Sequence, residues 1–323
     1  MGKYKIGLDI GEGEVKIVQW DGSVRSYVRI PTPDNLVKYG RIVSYEAMGD
    51  FLSEALKENK ITGKSCAVVI PASHTFLRRI TMAAMTVQQL EVNLPYEFRD
   101  YLTEGKDKYY YDYAVNEIIS DADGSPKQMD ITAATVEKSV IGEYRDMLRR
   151  TGLRLDTAVP AECALANVLR ESDSGRGREY CVVDFGHSAT RVYIYSGSKF
   201  ETSRTIEYGM HMVDEAVSEA RGVDEHIART YKETNFEGAR SAEQALGVYN
   251  AVAVDIRKAV SFYLYNNRAS NLSDIWYCGG GSYIPELTDA VSRSTELKVH
   301  PFSSLLGGDH LAPYAAAIGA VMQ

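Results

Sequence analysis

The stretch "IGLDIGEGEVKIVQW", residues 6–20, decides the predicted fold. An apolar run leads into Asp9, glycines follow at Gly11 and Gly13, and a second apolar run comes after them. This pattern predicts two antiparallel strands whose glycine turn lets backbone N–H groups approach a phosphate. The same turn carries Glu12, whose charge would repel a phosphate, so the turn raises the question of what it binds.

The same pattern occurs again at residues 179–200, "EYCVVDFGHSATRVYIYSGSKF". Asp184 and Gly186 take the positions that Asp9 and Gly11 take in the first hairpin, which indicates an internal duplication. A single Asp-x-Gly hairpin is weak evidence, because such turns are common. Two at corresponding places, with a strand that ends in the triple glycine of "WYCGGGS", favour a clamp around phosphates.

The composition and net charge of the chain exclude several classes of protein. The 323 residues are 45% hydrophobic and 25% charged, which is typical of a globular chain with room for two domains. A net charge of −8 argues against nucleic acid as the main partner. The chain has no run of 18 apolar residues and no signal-peptide pattern at its start, so we expect a cytoplasmic location. Its four isolated cysteines predict neither a zinc site nor a disulfide.

The pattern of residues 75–155 predicts an insertion that folds as a separate αβ unit. The strand "FLRRITM" precedes the helix "TVQQLEVNLPYEFRDYL", which has Thr86 as its N-cap, Gln89 at the capping-box position and Pro95 as a kink or break. A hairpin follows, formed by "KYYYDYAVNEIIS" and "QMDITAATVEK". The helix "KSVIGEYRDMLRRTG", which ends at Gly152, completes this αβ unit.

The paired motifs suggest specific roles for their side chains. Asp9 and Asp184 are candidates to hold Mg²⁺ through its water shell, since Mg²⁺ prefers few direct carboxylate ligands. The hydroxyls of Ser188 and Thr190 could donate to phosphate, although Thr190 could equally be a strand residue that points inward. Two glycines of the third turn could let the backbone approach a nucleoside, and they are Gly279 and Gly280.

Five motifs resemble those of the actin/Hsp70/sugar-kinase superfamily of ATP-binding proteins. "LDIGEGEVKI" and "VVDFGHSATRVYI" are similar to its two phosphate motifs, "WYCGGGSYIPEL" to its adenosine motif, and "VPAECALANVL" and "APYAAAIGAVM" to its two connecting helices. The resemblance implies an α/β fold of duplicated actin-like (ribonuclease H-like) domains that bind ATP and Mg²⁺.

The resemblance also assigns roles to further residues. Lys16 matches the lysine that reaches phosphate, with an exposed strand lysine as the alternative. Lys232 would lie near the base or ribose, with an exposed helix lysine as the alternative, and Arg229 stands where the family often has an acid. No catalytic residue is identified, and Glu162, near the start of the first connecting helix, is the only candidate for that role.

The position of the insertion resembles that of the 1C subdomain in FtsA and in PilM, a family of type IV pilus assembly proteins. Its order and length are similar to the PilM insert, and FtsA chains continue past the final helix into a linker and a membrane-binding helix. The predicted division comprises 1–74 as the first part of subdomain 1A, 75–155 as the 1C-type insert, 156–172 as a connecting helix, 173–305 as domain 2 with a helical part near 209–265, and 306–323 as the terminal helix.

Resemblance to PilM implies a scaffold that sits at the inner face of the cell membrane through a partner. The partner would be the short cytoplasmic N-terminal peptide of an inner-membrane, PilN-like protein, lying in a groove with pockets at Leu90, Leu94 and Phe98. Since Glu12 stands where relatives offer Ser or Thr to phosphate, we expect weak or absent ATP hydrolysis. Two alternatives stay open: an FtsA-like cell-division or filament protein, and, with less support, a small-molecule kinase. Homo-oligomerisation also stays open.

Overall fold

The computed structural model describes residues 4–172 and 177–322. The polar, glycine-containing stretch "DSGRGRE", residues 173–179, predicts a loop, and most of it lies outside the described residues. The strands, in chain order, are β1 (Lys5–Ile10), β2 (Glu14–Trp20), β3 (Val24–Pro31), β4 (Val37–Lys38), β5 (Arg41–Ile42), β6 (Ser65–Ile70), β7 (Thr75–Ala83), β8 (Tyr109–Ser120), β9 (Pro126–Glu137), β10 (Arg154–Pro160), β11 (Glu179–Phe185), β12 (Thr190–Ser196), β13 (Lys199–Ile206), β14 (Asp274–Cys278) and β15 (Lys298–Pro301).

Helices alternate with these strands. They are α1 (Tyr45–Glu58), α2 (Val87–Glu97), α3 (Lys138–Arg150), α4 (Ala161–Ser172), α5 (His211–Arg221), α6 (Glu225–Thr234), α7 (Glu243–Asn266), α8 (Pro285–Thr295) and α9 (Ala315–Val321). Over residues 4–172 and 177–322, no helix combines the length and the apolarity that a bilayer span requires.

Two five-stranded sheets share one strand order, which confirms the predicted duplication. The first sheet runs β3-β2-β1-β6-β10 and the second runs β13-β12-β11-β14-β15. In each, an antiparallel meander that begins at the Asp-x-Gly hairpin is extended by two parallel strands. The apolar residues of β1 and β11 are buried because both faces of the central strands are covered. The two Asp-x-Gly turns thus occupy equivalent places in the two domains.

Helices α4 and α9 join the domains, and α9 consists mostly of small residues. Helix α9 packs against α4 and against β1 and β6. The close approach depends on glycine, because a Cβ on Gly319 would collide with the Ala164 carbonyl and one on Gly7 with the Ala317 carbonyl. The sequence "APYAAAIGAVM" therefore ends the chain as a helix that fits only where neighbouring backbones come very close.

The predicted insert is shorter than 75–155. Helix α3 packs on α1, and its buried residues Tyr144 and Met147 belong to the core of the first domain. Strand β10, which the sequence reading missed, pairs in parallel with β6 and completes the first sheet. The inserted unit is thus the three-stranded sheet β7-β9-β8 with helix α2. The amphipathic pattern of α3 predicts a helix but does not reveal which sheet the helix covers.

The prediction that Leu90, Leu94 and Phe98 form pockets of a peptide groove is wrong. These side chains are 1%, 2% and 0% exposed, and they form the core of the insert with Ile80 and Ile131. Their spacing of four residues places them on one face of α2, and that face covers the insert's own sheet. Pro95 lies inside α2 without dividing it, and the Thr86–Gln89 capping box forms as predicted.

The insert also contacts the second domain. Arg79 of β7 makes ion pairs with Asp130 of β9 and with Glu201 of β13, and Lys199 of β13 pairs with Glu117 of β8 at 3.6 Å. The small sheet therefore emerges from the first domain but is fastened to the edge of the second.

We predict that Leu94→Ala lowers the free energy of unfolding by about 2–5 kcal/mol, because it leaves a cavity in the insert core. Urea denaturation followed by circular dichroism measures this change. The matched control is Val92→Ala on the same helix, where the side chain is 64% exposed and the expected change is below about 0.5 kcal/mol. Equal effects of the two substitutions would contradict the assignment of Leu94 to the core.

Candidate functional site

The two Asp-x-Gly turns touch each other across the cleft between the domains. A Cβ on Gly13 would lie 2.9 Å from the His187 ring, so only glycine allows the first turn to come this close to the second. The Ser188 hydroxyl donates to Glu12, and Arg229 Nη2 donates to the Gly13 carbonyl at 2.6 Å. The two turns therefore lie against each other where the domains meet.

A cavity of about 820 Å³ lies at this junction. Asp9, Lys16 and the first turn line it from one domain, while Asp184, Arg191 and the second turn line it from the other. Its size falls in the range of sites for small molecules and cofactors. The cleft is also rich in charge of both signs, which suits a highly charged ligand more than an apolar one.

Asp9 and Lys16 face each other at the floor of the cleft. They are opposite each other in the β1–β2 register, and the Lys16 Nζ lies 3.4 Å from Asp9 Oδ2. Burial alone would lower the pKa of Lys16, but the carboxylates of Asp9, Glu14 and Asp184 outweigh it and raise the pKa. Lys16 is thus a charged, buried lysine, and the alternative of an exposed strand lysine is wrong.

Asp184 is the second aspartate of the cleft. Burial raises the pKa of its carboxyl group, while Lys16 and Arg191 act in the opposite direction. Gly279, with φ of +85°, packs directly on this side chain, and a Cβ there would collide with Asp184 Oδ1. Gly280 lines the cavity itself. The third glycine turn therefore supports the second aspartate as well as the wall of the cleft.

Two carboxylates of the cleft are of the kind that suits Mg²⁺. Asp9 and Asp184 supply the oxygen ligands that Mg²⁺ prefers. Within the part of the chain that the structure describes, however, no group of three or more His, Cys, Asp or Glu side chains is placed to hold a metal ion. These two carboxylates would therefore face such an ion through its water molecules.

Glu12 occupies the rim between the two turns. Its Oε2 accepts hydrogen bonds from the Ser188 hydroxyl and, at 3.0 Å, from the backbone N–H of Tyr39. The carboxylate thus turns toward the second domain, where it uses the hydroxyl that the sequence reading offered to phosphate. Among the described residues, no ion pair with a cation compensates its charge.

Comparison with known proteins identifies the family. The chain matches the family described as type IV pilus assembly protein PilM over residues 7–309. It belongs to the PilM family. A search of curated protein sequences gives no significant match.

Solved structures support the same fold for this PilM-family chain. A PilM–PilN type IV pilus biogenesis complex matches with a TM-score of 0.82 at 18% identity, covering 98% of this chain and 97% of that one. The ethanolamine utilization protein EutJ from Carboxydothermus hydrogenoformans matches with a TM-score of 0.63 at 17% identity, covering 98% and 89%. A ROK family glucokinase from Streptomyces griseus, solved with glucose and AMPPNP, matches with a TM-score of 0.52 at 12% identity, covering 98% and 97%. The predicted fold of duplicated actin-like domains is confirmed.

Two proposed ligand contacts of this PilM-family protein are corrected by their hydrogen bonds. Thr190 is fully buried and its hydroxyl donates to the Tyr208 carbonyl at 2.8 Å, so the inward-pointing alternative holds. Lys232 lines the cleft, but its ammonium group is 2.6 Å from Asp214 Oδ1 and donates to the Met210 carbonyl. Both side chains satisfy buried groups of the second domain, so neither is free for a ligand.

Glu162 does not reach the cleft of the PilM-family chain. It is 5% exposed, its Oε2 has no hydrogen-bond partner among the described residues, and burial raises its pKa. The residue of α4 that lines the cavity is Ala161, one position earlier. The helix register, which the sequence could not fix, therefore directs the acid into the interior.

Two cleft residues are not among the candidates from the sequence, although His187 is part of the second turn. His187 lies against Gly13, and burial together with the charge of Arg229 lowers its pKa to about 4, so the ring is neutral near pH 7. Arg191 lies opposite Asp184 in the β11–β12 register, where Lys16 lies opposite Asp9 in the first hairpin. The duplication itself was the available signal, because Arg191 follows Asp184 at the same distance as Lys16 follows Asp9.

Proposed function

We propose that this PilM-family protein is an ATP-binding scaffold of type IV pilus assembly. It would bind the cytoplasmic N-terminal segment of an inner-membrane, PilN-like partner and so sit at the inner face of the membrane. One observation supports nucleotide binding above all: two glycine turns and two aspartates line the same cavity. The PilM–PilN complex among the similar structures supports the partner.

The chemistry of the turns supports nucleotide binding. Backbone N–H groups of the two glycine turns are suited to phosphate oxygens, and Lys16 adds a positive charge beneath them. If the nucleotide brings Mg²⁺, the ion would offset phosphate charge while Asp9 and Asp184 accept hydrogen bonds from its water molecules. The glucokinase relative, solved with AMPPNP, supports a nucleotide in this fold.

Weak or absent hydrolysis is part of the proposal. The wall that α4 presents to the cavity carries Ala161, whose methyl group cannot orient a water molecule or accept its proton. Glu162 is buried behind it. Glu12 places a further carboxylate at the rim, where it opposes phosphate charge. Such a site would bind nucleotide as a structural ligand more readily than it would turn it over.

A patch on the insert suits the partner peptide. Phe76 of β7 and Tyr101 are 41% and 44% exposed, with ring centroids 5.8 Å apart, and the Arg78 guanidinium lies 5.0 Å from the Tyr101 ring. We call Phe76, Arg78 and Tyr101 the Phe76 patch. It lies at the base of the insert, where β7 leaves the first domain, and it offers apolar area that Leu90, Leu94 and Phe98 do not.

Asp9→Ala is expected to weaken binding of Mg²⁺–ATP by about tenfold, because Lys16 loses the carboxylate that orients its ammonium group. Isothermal titration calorimetry measures the affinity. The matched control is Glu225→Ala at the exposed rim of the same cavity, where we expect a change below about threefold. No binding by the wild type would contradict the nucleotide proposal, and equal affinities would contradict the role of Asp9.

Glu12→Ser is expected to tighten ATP binding by about five- to tenfold. The substitution removes an uncompensated carboxylate near the phosphates, worth roughly 1 kcal/mol in water-like surroundings, and releases the Ser188 hydroxyl. The same calorimetry serves, with Glu207→Ser as the control because Glu207 lines the cavity but is exposed. Unchanged or weaker binding in Glu12→Ser would show that the charge argument is wrong.

For the peptide, Phe76→Ala and Tyr101→Ala are each expected to weaken binding about tenfold, since exposed aromatic anchors dominate such contacts. Fluorescence anisotropy with a labelled N-terminal cytoplasmic peptide of the PilN-like protein measures the affinity. Phe262→Ala is the control, because Phe262 is 73% exposed on the second domain. If Phe262→Ala weakens binding as much, or the other two leave it unchanged, the Phe76 patch is not the peptide site.

A further inference from the structure

The two halves of the cleft carry the same pair of charges. In "DIGEGEVK" and "DFGHSATR", an aspartate, a glycine two residues later and a basic residue five after that recur in the same order. The strand registers place each basic residue opposite its aspartate, Lys16 opposite Asp9 and Arg191 opposite Asp184. Arg191 is thus the second-domain counterpart of Lys16.

Arg191 differs from Lys16 in what its charge contacts. Lys16 is paired with Asp9, whereas Arg191 makes no hydrogen bond or ion pair with any residue in 4–172 or 177–322, and its Nε is buried. Asp184, Glu162 and Asp9 are the carboxylates that act on it from a distance. A largely buried guanidinium whose Nε–H has no partner among the described residues is a costly arrangement that an anion in the cleft would relieve.

The position of the guanidinium fits an anion held by the turns. A Cβ placed on Gly186 would lie 4.0 Å from Arg191 Nη1, just as one on Gly11 would lie 3.6 Å from Lys16 Nζ. Each cation therefore lies beside the glycine of its own turn, and both line the cavity. Oxygens held by the turn N–H groups would be within reach of both side chains.

We propose that Arg191 binds phosphate oxygens of the nucleotide from the second domain, and that Lys16 and Arg191 together let the nucleotide bind without a divalent cation. The inference rests on the proposed nucleotide binding and specifies which side chains neutralise the phosphate charge. Arginine suits this task because its planar fork donates two parallel hydrogen bonds to a phosphate. Two fixed cations at the floor would supply the positive charge that Mg²⁺ otherwise brings.

The test is calorimetry of the full chain with ATP, once in Mg²⁺ and once in EDTA. The wild type is expected to bind in both, with affinities within about threefold of each other. Arg191→Met should weaken binding in EDTA by about 10- to 100-fold, as loss of a charged hydrogen bond predicts, and by less in Mg²⁺. Arg191→Lys keeps the charge, so its affinity for ATP should lie between those of the wild type and Arg191→Met. Arg204→Met is the matched control, since Arg204 is exposed on the neighbouring strand β13.

Thermal denaturation without ligand separates binding from a structural role. Because Arg191 has no partner among the described residues, Arg191→Met should leave the Tm unchanged or raise it. Loss of wild-type binding in EDTA, or equal binding by wild type and Arg191→Met, would overturn the inference while leaving the proposed function intact. A lowered Tm with unchanged binding would also overturn it, by assigning Arg191 to the fold. Absence of wild-type binding under both conditions would instead refute the nucleotide proposal itself.

Discussion

The close contact between the two glycine turns is the constraint on which the rest of the structure depends. A side chain at Gly13 would meet the His187 ring, and one at Gly209 would collide with the His187 carbonyl. Because Gly13 has no Cβ, the ends of two separate sheets can approach and enclose a polar cavity. The duplicated strand order then follows as the simplest way to present two equivalent turns to each other.

The charges inside the cleft divide into two kinds. Lys232 with Asp214, and Lys16 with Asp9, are pairs that satisfy each other. Arg191 and Glu12 have no partner of opposite charge among the described residues, although Glu12 accepts two hydrogen bonds. Removing a charge from water costs several kcal/mol when nothing compensates it. An anion in the cleft would therefore stabilise the Arg191 guanidinium, whereas the Glu12 carboxylate opposes such an anion.

Local pattern was enough to predict most of the fold. Alternation predicted β1, β2, β11 and β12, and the repeated Asp-x-Gly turn predicted their duplication. Strand β15 was missed because it has only four residues, and β10 because its residues run directly into the connecting helix α4. Each takes its place by pairing in parallel with a neighbouring strand. Leu90 was assigned to a groove because periodicity reveals the apolar face of a helix but not the surface that this face covers.

The site was predicted less completely, and for a physical reason. The spacing of glycines and aspartates predicts a turn. The hydrogen-bond partner of a polar side chain cannot be predicted in this way, because it depends on the three-dimensional arrangement. The sequence motifs assign Lys232 and Thr190 to the site. In the structure, however, both side chains donate to buried acceptors of the second domain. Arg191 could have been found by comparing the two repeats residue by residue.

The fastening of the insert to the second domain has a mechanical consequence. Arg79 and Lys199 bind acidic partners across the boundary between β13 and the insert sheet, while the turns and the α4–α9 pair join the domains elsewhere. Two bodies joined at a single point rotate freely, but bodies joined at several separated points resist rotation about any one axis. Opening of the cleft must therefore either carry the small sheet along or first break its ion pairs.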